Sequence, residues 1–212
     1  MSIKLIIFDF DGTICDSLEA KKIAFENLYK PYGKEIVKRV SNHHTQNLGI
    51  SREEKLRFIQ KEILSQDHSE VRIKELSKNF SKLVKQHVID APFIKGALDF
   101  LKKNSRNYEL HISSATPQEE LLDILKAKNL SSYFLSINGS PRKKFEHIKT
   151  ILHKNRIIKR NEVVFIGDSM QDQLAAKKAE VNFIGIGSSN VFSSEEKRID
   201  DFRALESTLK EF

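Results

Sequence analysis

Two acidic residues spaced two apart, Asp9 and Asp11, stand where the apolar run Ile3-Lys4-Leu5-Ile6-Ile7-Phe8 gives way to Gly12-Thr13. A run this rich in β-branched and aromatic residues reads as a buried strand, and the glycine ends it. Side chains two apart on a strand leave the same face. If the extended geometry continues into the turn, both carboxylates address one ligand, one able to attack while the other handles protons. Gly12 permits a positive φ where the chain leaves the strand, and the Thr13 hydroxyl can bond locally and fix the loop. Taken alone, the segment Asp9-Phe10-Asp11-Gly12-Thr13 would also suit an Asp-Gly hairpin carrying two solvated acids.

A second acidic turn argues against the hairpin. Glu162-Val163-Val164-Phe165-Ile166-Gly167-Asp168-Ser169-Met170-Gln171-Asp172 repeats the order of buried strand, glycine, acid and helix start. In an open parallel sheet, ligands bind outside the carboxyl ends of the strands, so acids that follow both strands converge there. Two like charges about 4 Å apart cost on the order of 4 kcal/mol at an effective dielectric near 20. Four carboxylates in one crevice, Asp9, Asp11, Asp168 and Asp172, therefore call for a cation. All-oxygen ligands suit a hard ion that keeps several waters and bridges to phosphate, which means Mg²⁺ rather than zinc.

The elements that must position these acids alternate along the chain. Strand-like runs at Ile3 to Phe8, Glu109 to Ile112, Tyr133 to Ile137, Val163 to Ile166 and Phe183 to Ile186 are separated by helical patterns, which predicts a doubly wound α/β fold with a parallel sheet. Between Ser17 and about Asp90 the strand signal disappears and amphipathic, charged helices take over, including Leu18 to Tyr29 and Arg52 to Leu64. The expected organisation is an α/β core of residues 1–16 and 91–212 with an inserted all-helical domain of residues 17–90. Its hinges fall near Asp16 to Leu18 and near Ala91 to Phe93, where Pro92 breaks the helix.

With these motifs in this order the chain resembles the haloacid dehalogenase superfamily, in its Mg²⁺-dependent phosphatase branch. Asp9-x-Asp11-Gly12-Thr13 is similar to the family's first motif and Gly167-Asp168-x-x-x-Asp172 to its fourth. Leu110-His111-Ile112-Ser113-Ser114, an apolar strand ending in hydroxyls, is similar to the second, and Gly139-Ser140-Pro141-Arg142-Lys143-Lys144 to the lysine motif. The resemblance implies that Asp9 is the nucleophile, forming an aspartyl phosphate. It implies that Asp11 protonates the leaving alcohol and later takes a proton from the hydrolytic water. Mg²⁺ would be held by Asp9, Asp168 and the backbone carbonyl of Asp11, with Asp172 either a direct ligand or an orienting group. Ser114, Lys144 and Thr13 are the expected phosphate contacts. Ser113 and Ser114 fall on opposite faces of their strand, so one of them reaches the phosphate, and the order of the motif favours Ser114. The Gly-Ser-Pro-x-x-Lys spacing favours Lys144 over Lys143. Thr116, next to Pro117, doubles as a candidate cap for the helix expected from Gln118 to Asn129.

The helical insertion resembles a cap of the first type, placed between the first and second motifs, and a phosphoglycolate phosphatase-like arrangement is implied. Core and cap would enclose the substrate, the core reading phosphate and metal and the cap facing the leaving group. Its polar cluster of Arg39, Asn42, His43, His44, Ser51 and Arg52 supplies the specificity candidates His43, His44 and Arg52. The segment Gly49-Ile50-Ser51-Arg52-x-x-Lys55 is similar to cap-bearing phosphatases that resemble sugar-phosphate enzymes. A structural role for the two histidines, or pairing of Arg52 with glutamates of its own helix, accounts for the same residues.

Composition narrows the setting. The chain has 212 residues, 39% of them hydrophobic, enough for one sizeable core plus an appendage. No apolar run approaches a membrane span, and the strand begins directly after Met1-Ser2, so neither a membrane partner nor a signal peptide is expected. The single cysteine, Cys15, excludes an intrachain disulfide framework and fits a reducing, cytoplasmic compartment; it reads as a small buried packing residue. A net charge of +7 attracts anions, yet the lysines are spread over nearly every helix without the arginine runs or aromatic interleaving of a nucleic-acid groove. The expected partner is a small-molecule phosphate ester, and nothing in the sequence speaks to assembly state. Three function classes fit: a phosphomonoesterase, a phosphomutase on a sugar phosphate that returns the phosphoryl group to substrate, and a binding protein with a vestigial site. The intact acidic set weighs against the last, and an acid at Asp11 weighs against a dehalogenase.

Overall fold

The first strand, β1 (Leu5–Phe8), is buried along its whole length because it lies at the centre of a sheet covered on both faces. Ile6 and Phe8 point into one hydrophobic cluster and Leu5 and Ile7 into another, which is why the run shows no polar alternation. The computed structural model describes residues 2–155, 158–187, 192 and 196–212. Its sheet has six strands in the order β3-β2-β1-β4-β5-β6, all paired in parallel. The other strands are β2 (Glu109–Pro117), β3 (Ser136–Ser140), β4 (Val163–Gly167), β5 (Asn182–Ile186) and β6 (Lys197–Ile199). The strand order reverses direction at β1, which places β2 and β4 on either side of it. The acids after β1 and β4 therefore share one crevice at a topological switch point.

Two layers of helix cover the sheet. Helices α7 (Lys144–Lys154) and α8 (Met170–Ala179) bury Ile148, Ile151, Ala175, Ala176 and Ala179 against Leu5, Ile7, Val163 and Phe165. The opposite face receives α5 (Ala97–Asn104), α6 (Gln118–Ala127) and α9 (Leu205–Leu209), with Phe8, Phe100 and Phe202 packed ring on ring.

Between β1 and α5 the described chain contains four α-helices and no strand: α1 (Leu18–Tyr29), α2 (Lys34–Gln46), α3 (Arg52–Phe58) and α4 (Glu70–Asp90). Ser51 opens α3 with a reciprocal capping box to Glu54, and the Ser69 hydroxyl accepts from the amide of Arg72 at the start of α4. Phe25, Tyr29, Val40, Leu56, Ile73, Phe80 and Val84 form the interior of this insertion, continuous with the cluster on the sheet. The two linkers run side by side: the Asp16 amide donates to the Pro92 carbonyl at 2.9 Å and the Ile94 amide to the Ile14 carbonyl at 3.0 Å. Cys15 is buried between them, and burial pushes its thiol up to about 11. No helix among the described residues is long and apolar enough to cross a membrane.

Several elements depart from the pattern in the sequence. The β2 strand continues through Ser113 to Pro117 instead of ending at Ile112, so the helix after it starts at Gln118 with Pro117 as its cap position, and Thr116 belongs to the strand. Tyr133 lies in a 3-10 turn, and β3 begins at Ser136, where pairing with His111 of β2 starts. The aromatic residues there serve packing, Phe134 against the edge of Phe8, rather than the ladder. The span Arg52 to Leu64 is α3 followed by a π-helical stretch, Ile59–Ile63. The β6 strand, three residues long with two charges, is too short and too polar to carry a periodic signal.

Candidate active site

At the end of β1 the Asp9 amide donates to the Ile166 carbonyl of β4, which fixes Asp9 beside the turn that carries Asp168. Gly12 sits at φ +80°, and a side chain there would strike the Asp168 carboxylate. Gly167 is equally confined, since a Cβ would run into the carboxyl group of Asp172. Gly12 thus lets the two acidic turns approach each other, and Gly167 lets Asp172 fold back over its own turn.

Asp9, Asp168 and Asp172 are all buried, and each offers a carboxylate oxygen within 4.8 Å of the others. One cation stands among them: Lys144 Nζ donates to Asp9 Oδ2 at 2.7 Å and to Asp172 Oδ1 at 2.6 Å. The other oxygen of Asp172 accepts from the Ser169 hydroxyl at 2.5 Å and the Ser169 amide at 3.1 Å, an N-terminal capping box on α8. Asp172 is therefore held by its own helix and by Lys144. Thr13 is fully buried, and its hydroxyl donates to Asp168 Oδ1 at 3.3 Å; it braces that carboxylate and does not line the cavity described below.

Asp11 turns away from this cluster. Its carboxylate accepts from Ser17 Oγ at 2.7 Å and Thr116 Oγ1 at 2.8 Å, and pairs with Lys21, which in turn donates to Thr116 at 2.8 Å. Two carboxylates two residues apart consequently have opposite electrostatics. Burial pushes Asp9 up to about 7, with Asp172 and Asp11 adding to the rise and Lys144 offsetting part of it. Burial also opposes ionisation of Asp11, but the Lys21 ammonium and the three hydrogen bonds win and hold it below the usual carboxylate range. Asp168 is raised well above its ordinary value by burial and then by Asp9 and Asp172. Lys144 is raised despite burial, because Asp172 and Asp9 both face it.

Three buried oxygen ligands around one ammonium are a donor set that a hard divalent cation fits; burial first, and then the neighbouring acids, raise Asp9 and Asp168.

The strand and lysine alternatives separate cleanly. Ser114 lines the cavity above Asp9, with its hydroxyl accepting from the Thr116 amide at 3.1 Å. Ser113 lies on the other face, bonded to His147 Nδ1 of α7 at 2.9 Å. Lys144 is buried in the acid cluster, whereas Lys143 is exposed and pairs with Glu54 of α3 at 3.2 Å.

The helical insertion roofs a cavity floored by Asp9, Asp11, Asp168 and Ser114. Its roof includes Lys21 and Phe25 from α1, His44 from α2, Arg52 and Lys55 from α3, and Phe80 from α4. Arg52 is buried, stacks 4.4 Å from the Phe80 ring, and is bidentate to Glu120 of α6 at 2.9 and 2.5 Å, so its ion pair is with the core and not with glutamates of its own helix. His44 is buried, and burial with Lys55 and Lys21 nearby pushes it down to about 3. His43 is not part of the roof. It stacks on Phe58 with ring centroids 4.0 Å apart and lines a separate outer recess with Arg39 and Asn42, because successive residues of α2 diverge by the helical turn.

Lys21, Ser17, Thr116 and Lys55 are the participants that motif reading passed over. Ser17 and Lys21 are spaced i, i+4 directly after the first acidic turn, and Arg52 and Lys55 are spaced i, i+3 on α3; both spacings put two polar groups on one helical face.

Residues 6–186 match the haloacid dehalogenase-like hydrolase family. The chain is 29% identical over 194 residues to a phosphorylated carbohydrates phosphatase of Thermotoga maritima, covering 84% of this chain and 82% of that protein. Among solved structures, a predicted phosphoglycolate phosphatase of Haemophilus somnus superposes with a TM-score of 0.76 at 18% identity, with 98% of both chains covered. A β-phosphoglucomutase of Clostridium difficile superposes with a TM-score of 0.77 at 20% identity over 99% of this chain and 98% of that one. The two structures share this fold, and with the acidic crevice at its switch point and a family match over most of its length, the chain belongs to the haloacid dehalogenase-like hydrolases.

Proposed function

We propose that this hydrolase is a Mg²⁺-dependent phosphomonoesterase acting on a small organic phosphate, of the phosphorylated-carbohydrate kind, with Asp9 as nucleophile and Asp11 as acid and base. The observation that carries the reading is the contrast between neighbours: Asp9 in a three-acid cluster bridged by Lys144, and Asp11 held apart by Lys21, Ser17 and Thr116. Asp9, Asp168 and the main chain at Asp11 would hold the metal, with Asp172 orienting Lys144. When bound, Mg²⁺ supplies positive charge that keeps the carboxylates ionised and neutralises the phosphate.

An Asp9 oxygen attacks phosphorus, the bond to the leaving oxygen breaks, and the product alcohol takes a proton from Asp11. Water then attacks the aspartyl phosphate, gives its proton to Asp11 and releases phosphate. Asp11, held ionised in this state, is set up for the second step; for the first it must gain a proton, which a phosphate monoanion can bring. Ser114 and Lys144 donate to the phosphoryl oxygens, where charge accumulates. Residues 17–90 act as the cap that closes the site and reads the leaving group, with hinges at the paired linkers.

The test is a panel of phosphorylated metabolites assayed with Mg²⁺ for both free phosphate and isomerised product. Phosphate release supports the hydrolase. Isomerisation without release would make the chain a mutase, the alternative that shares the same first step, and turnover of nothing on the panel by folded, Mg²⁺-loaded protein would favour a binding role.

A further inference from the structure

The roof of the cavity carries three cationic side chains from the helical insertion, Lys21, Arg52 and Lys55, and two of them are spent. Lys21 is paired with Asp11 and donates to Thr116. Arg52 is neutralised by Glu120 and further held by Ser81 Oγ at 2.7 Å. Lys55 is different. It is 4% exposed, its Nζ donates to His44 Nδ1 at 3.1 Å and reaches the His44 carbonyl at 3.5 Å, and no carboxylate among the described residues lies within ion-pair distance.

A buried ammonium without a counter-ion is costly, and the protein shows that cost: burial, with Lys21 and Lys144 adding repulsion, pulls Lys55 down to about 7 against the weaker opposing pull of Asp11 and Asp168. His44 fixes the position of the ammonium. By accepting from Lys55 at Nδ1 it carries its proton at Nε2, and that buried Nε2 has no partner. A buried ammonium held by a histidine and without an acid, lining a cavity that ends on the acidic floor, defines what is missing: an anion arriving with the ligand.

We infer that Lys55, positioned by His44, is the specificity-determining residue of the roof and takes a second anionic group, carboxylate or phosphate, on the leaving-group side of the substrate. The inference rests on the proposed phosphatase reading for which end of the ligand meets the floor. A neutral sugar hydroxyl would leave the Lys55 charge desolvated and unpaired, so the preferred substrates are doubly anionic small phosphates.

The test pairs ligands that differ in that one group. Hydrolysis of phosphoglycolate against hydroxyethyl phosphate reads a carboxylate, and glucose 1,6-bisphosphate against glucose 6-phosphate reads a phosphate. In the wild type at least one doubly anionic member should exceed its partner in kcat/KM by roughly 100-fold, the size of effect that a buried charge pair produces. Lys55→Met should erase that preference, lowering kcat/KM of the doubly anionic member far more than that of the singly anionic one, and Lys55→Arg should keep part of it. His44→Phe, which retains the ring but not the acceptor, should narrow the preference through KM and not through kcat. Binding of phosphonoacetate against ethylphosphonate, measured by calorimetry with Mg²⁺ present, reads the same subsite with no turnover and on unmodified protein. Tighter binding of phosphonoacetate with no hydrolysis of any ester would retain the subsite and overturn only the phosphatase reading. Equal binding of the two phosphonates with no preference in either ester pair, or equal loss on every ester in folded Lys55→Met, would overturn the inference.

Discussion

The floor and the roof of the cavity handle charge in opposite ways. The floor concentrates Asp9, Asp168 and Asp172 around the single ammonium of Lys144, with burial and the neighbouring acids raising Asp9 and Asp168. The roof distributes cations and gives Lys21 and Arg52 an acid each, leaving Lys55 without one. A floor short of positive charge fits a metal and a phosphate. A roof with one cation to spare fits whatever else the ligand carries. The division also separates two kinds of robustness, because the floor stands on strand ends buried in the sheet, whereas the roof is joined to the core through side-chain pairs such as Arg52 with Glu120.

The comparison breaks most sharply at Asp9. Asp9→Asn should lower phosphate release by about 10⁴-fold or more, because an amide cannot form the covalent bond. Asp11→Asn should lower it by about 10²- to 10⁴-fold, through proton transfer, while leaving Mg²⁺ binding intact. Steady-state turnover and metal titration on both variants check this, and near-wild-type activity of Asp9→Asn would remove the covalent mechanism.

Metal removal tests the floor as a whole. Chelation should abolish activity reversibly, with Mg²⁺ restoring it and Ca²⁺ restoring it poorly because of its looser, larger coordination shell. Asp168→Ala should raise the Mg²⁺ requirement more than Asp172→Ala, since Asp172 is already committed to Ser169 and Lys144. Full activity of protein shown by elemental analysis to be metal-free would contradict the charge argument.

The same floor makes stability depend on pH. Burial raises Asp9 to about 7 in the folded chain against 3.8 for a free aspartate, so between those values the folded state keeps a proton that the unfolded chain has lost. Stability of the metal-free protein should therefore drop as pH rises through this window. Mg²⁺ favours the ionised form and competes with that proton. The rise in Tm on adding Mg²⁺ should accordingly be larger at about pH 7 than at about pH 5; a shift independent of pH would mean that Asp9 does not meet the metal.

On the roof, Glu120→Gln leaves Arg52 buried without its anion and should cost about 3 kcal/mol, lowering Tm by roughly 6–12 °C for a chain of this size. Arg52→Met combined with Glu120→Leu should recover most of that loss in a thermal melt, because it removes both buried charges. The smallest effect belongs to His43→Ala: stacked on Phe58 in the outer recess, it should change kcat/KM by less than about threefold on any substrate.

What the sequence by itself determined is local. The two acidic turns, the glycines that shape them and the parallel-sheet strands before them are legible because a buried strand writes an uninterrupted apolar run and a sharp turn needs glycine. Face alternation also required one of Ser113 and Ser114 to leave the site. Tertiary structure decided the partners. It placed Asp11 with Lys21 and Thr116 and away from the other acids, spent Thr13 on Asp168, turned His43 outward, and matched Arg52 with a glutamate 68 residues further on. It also left Lys55 with a histidine and no acid. Periodicity encodes which face of an element is buried. Which charges meet there depends on how distant elements pack, and a buried charge acquires its character from the partners that packing supplies or withholds.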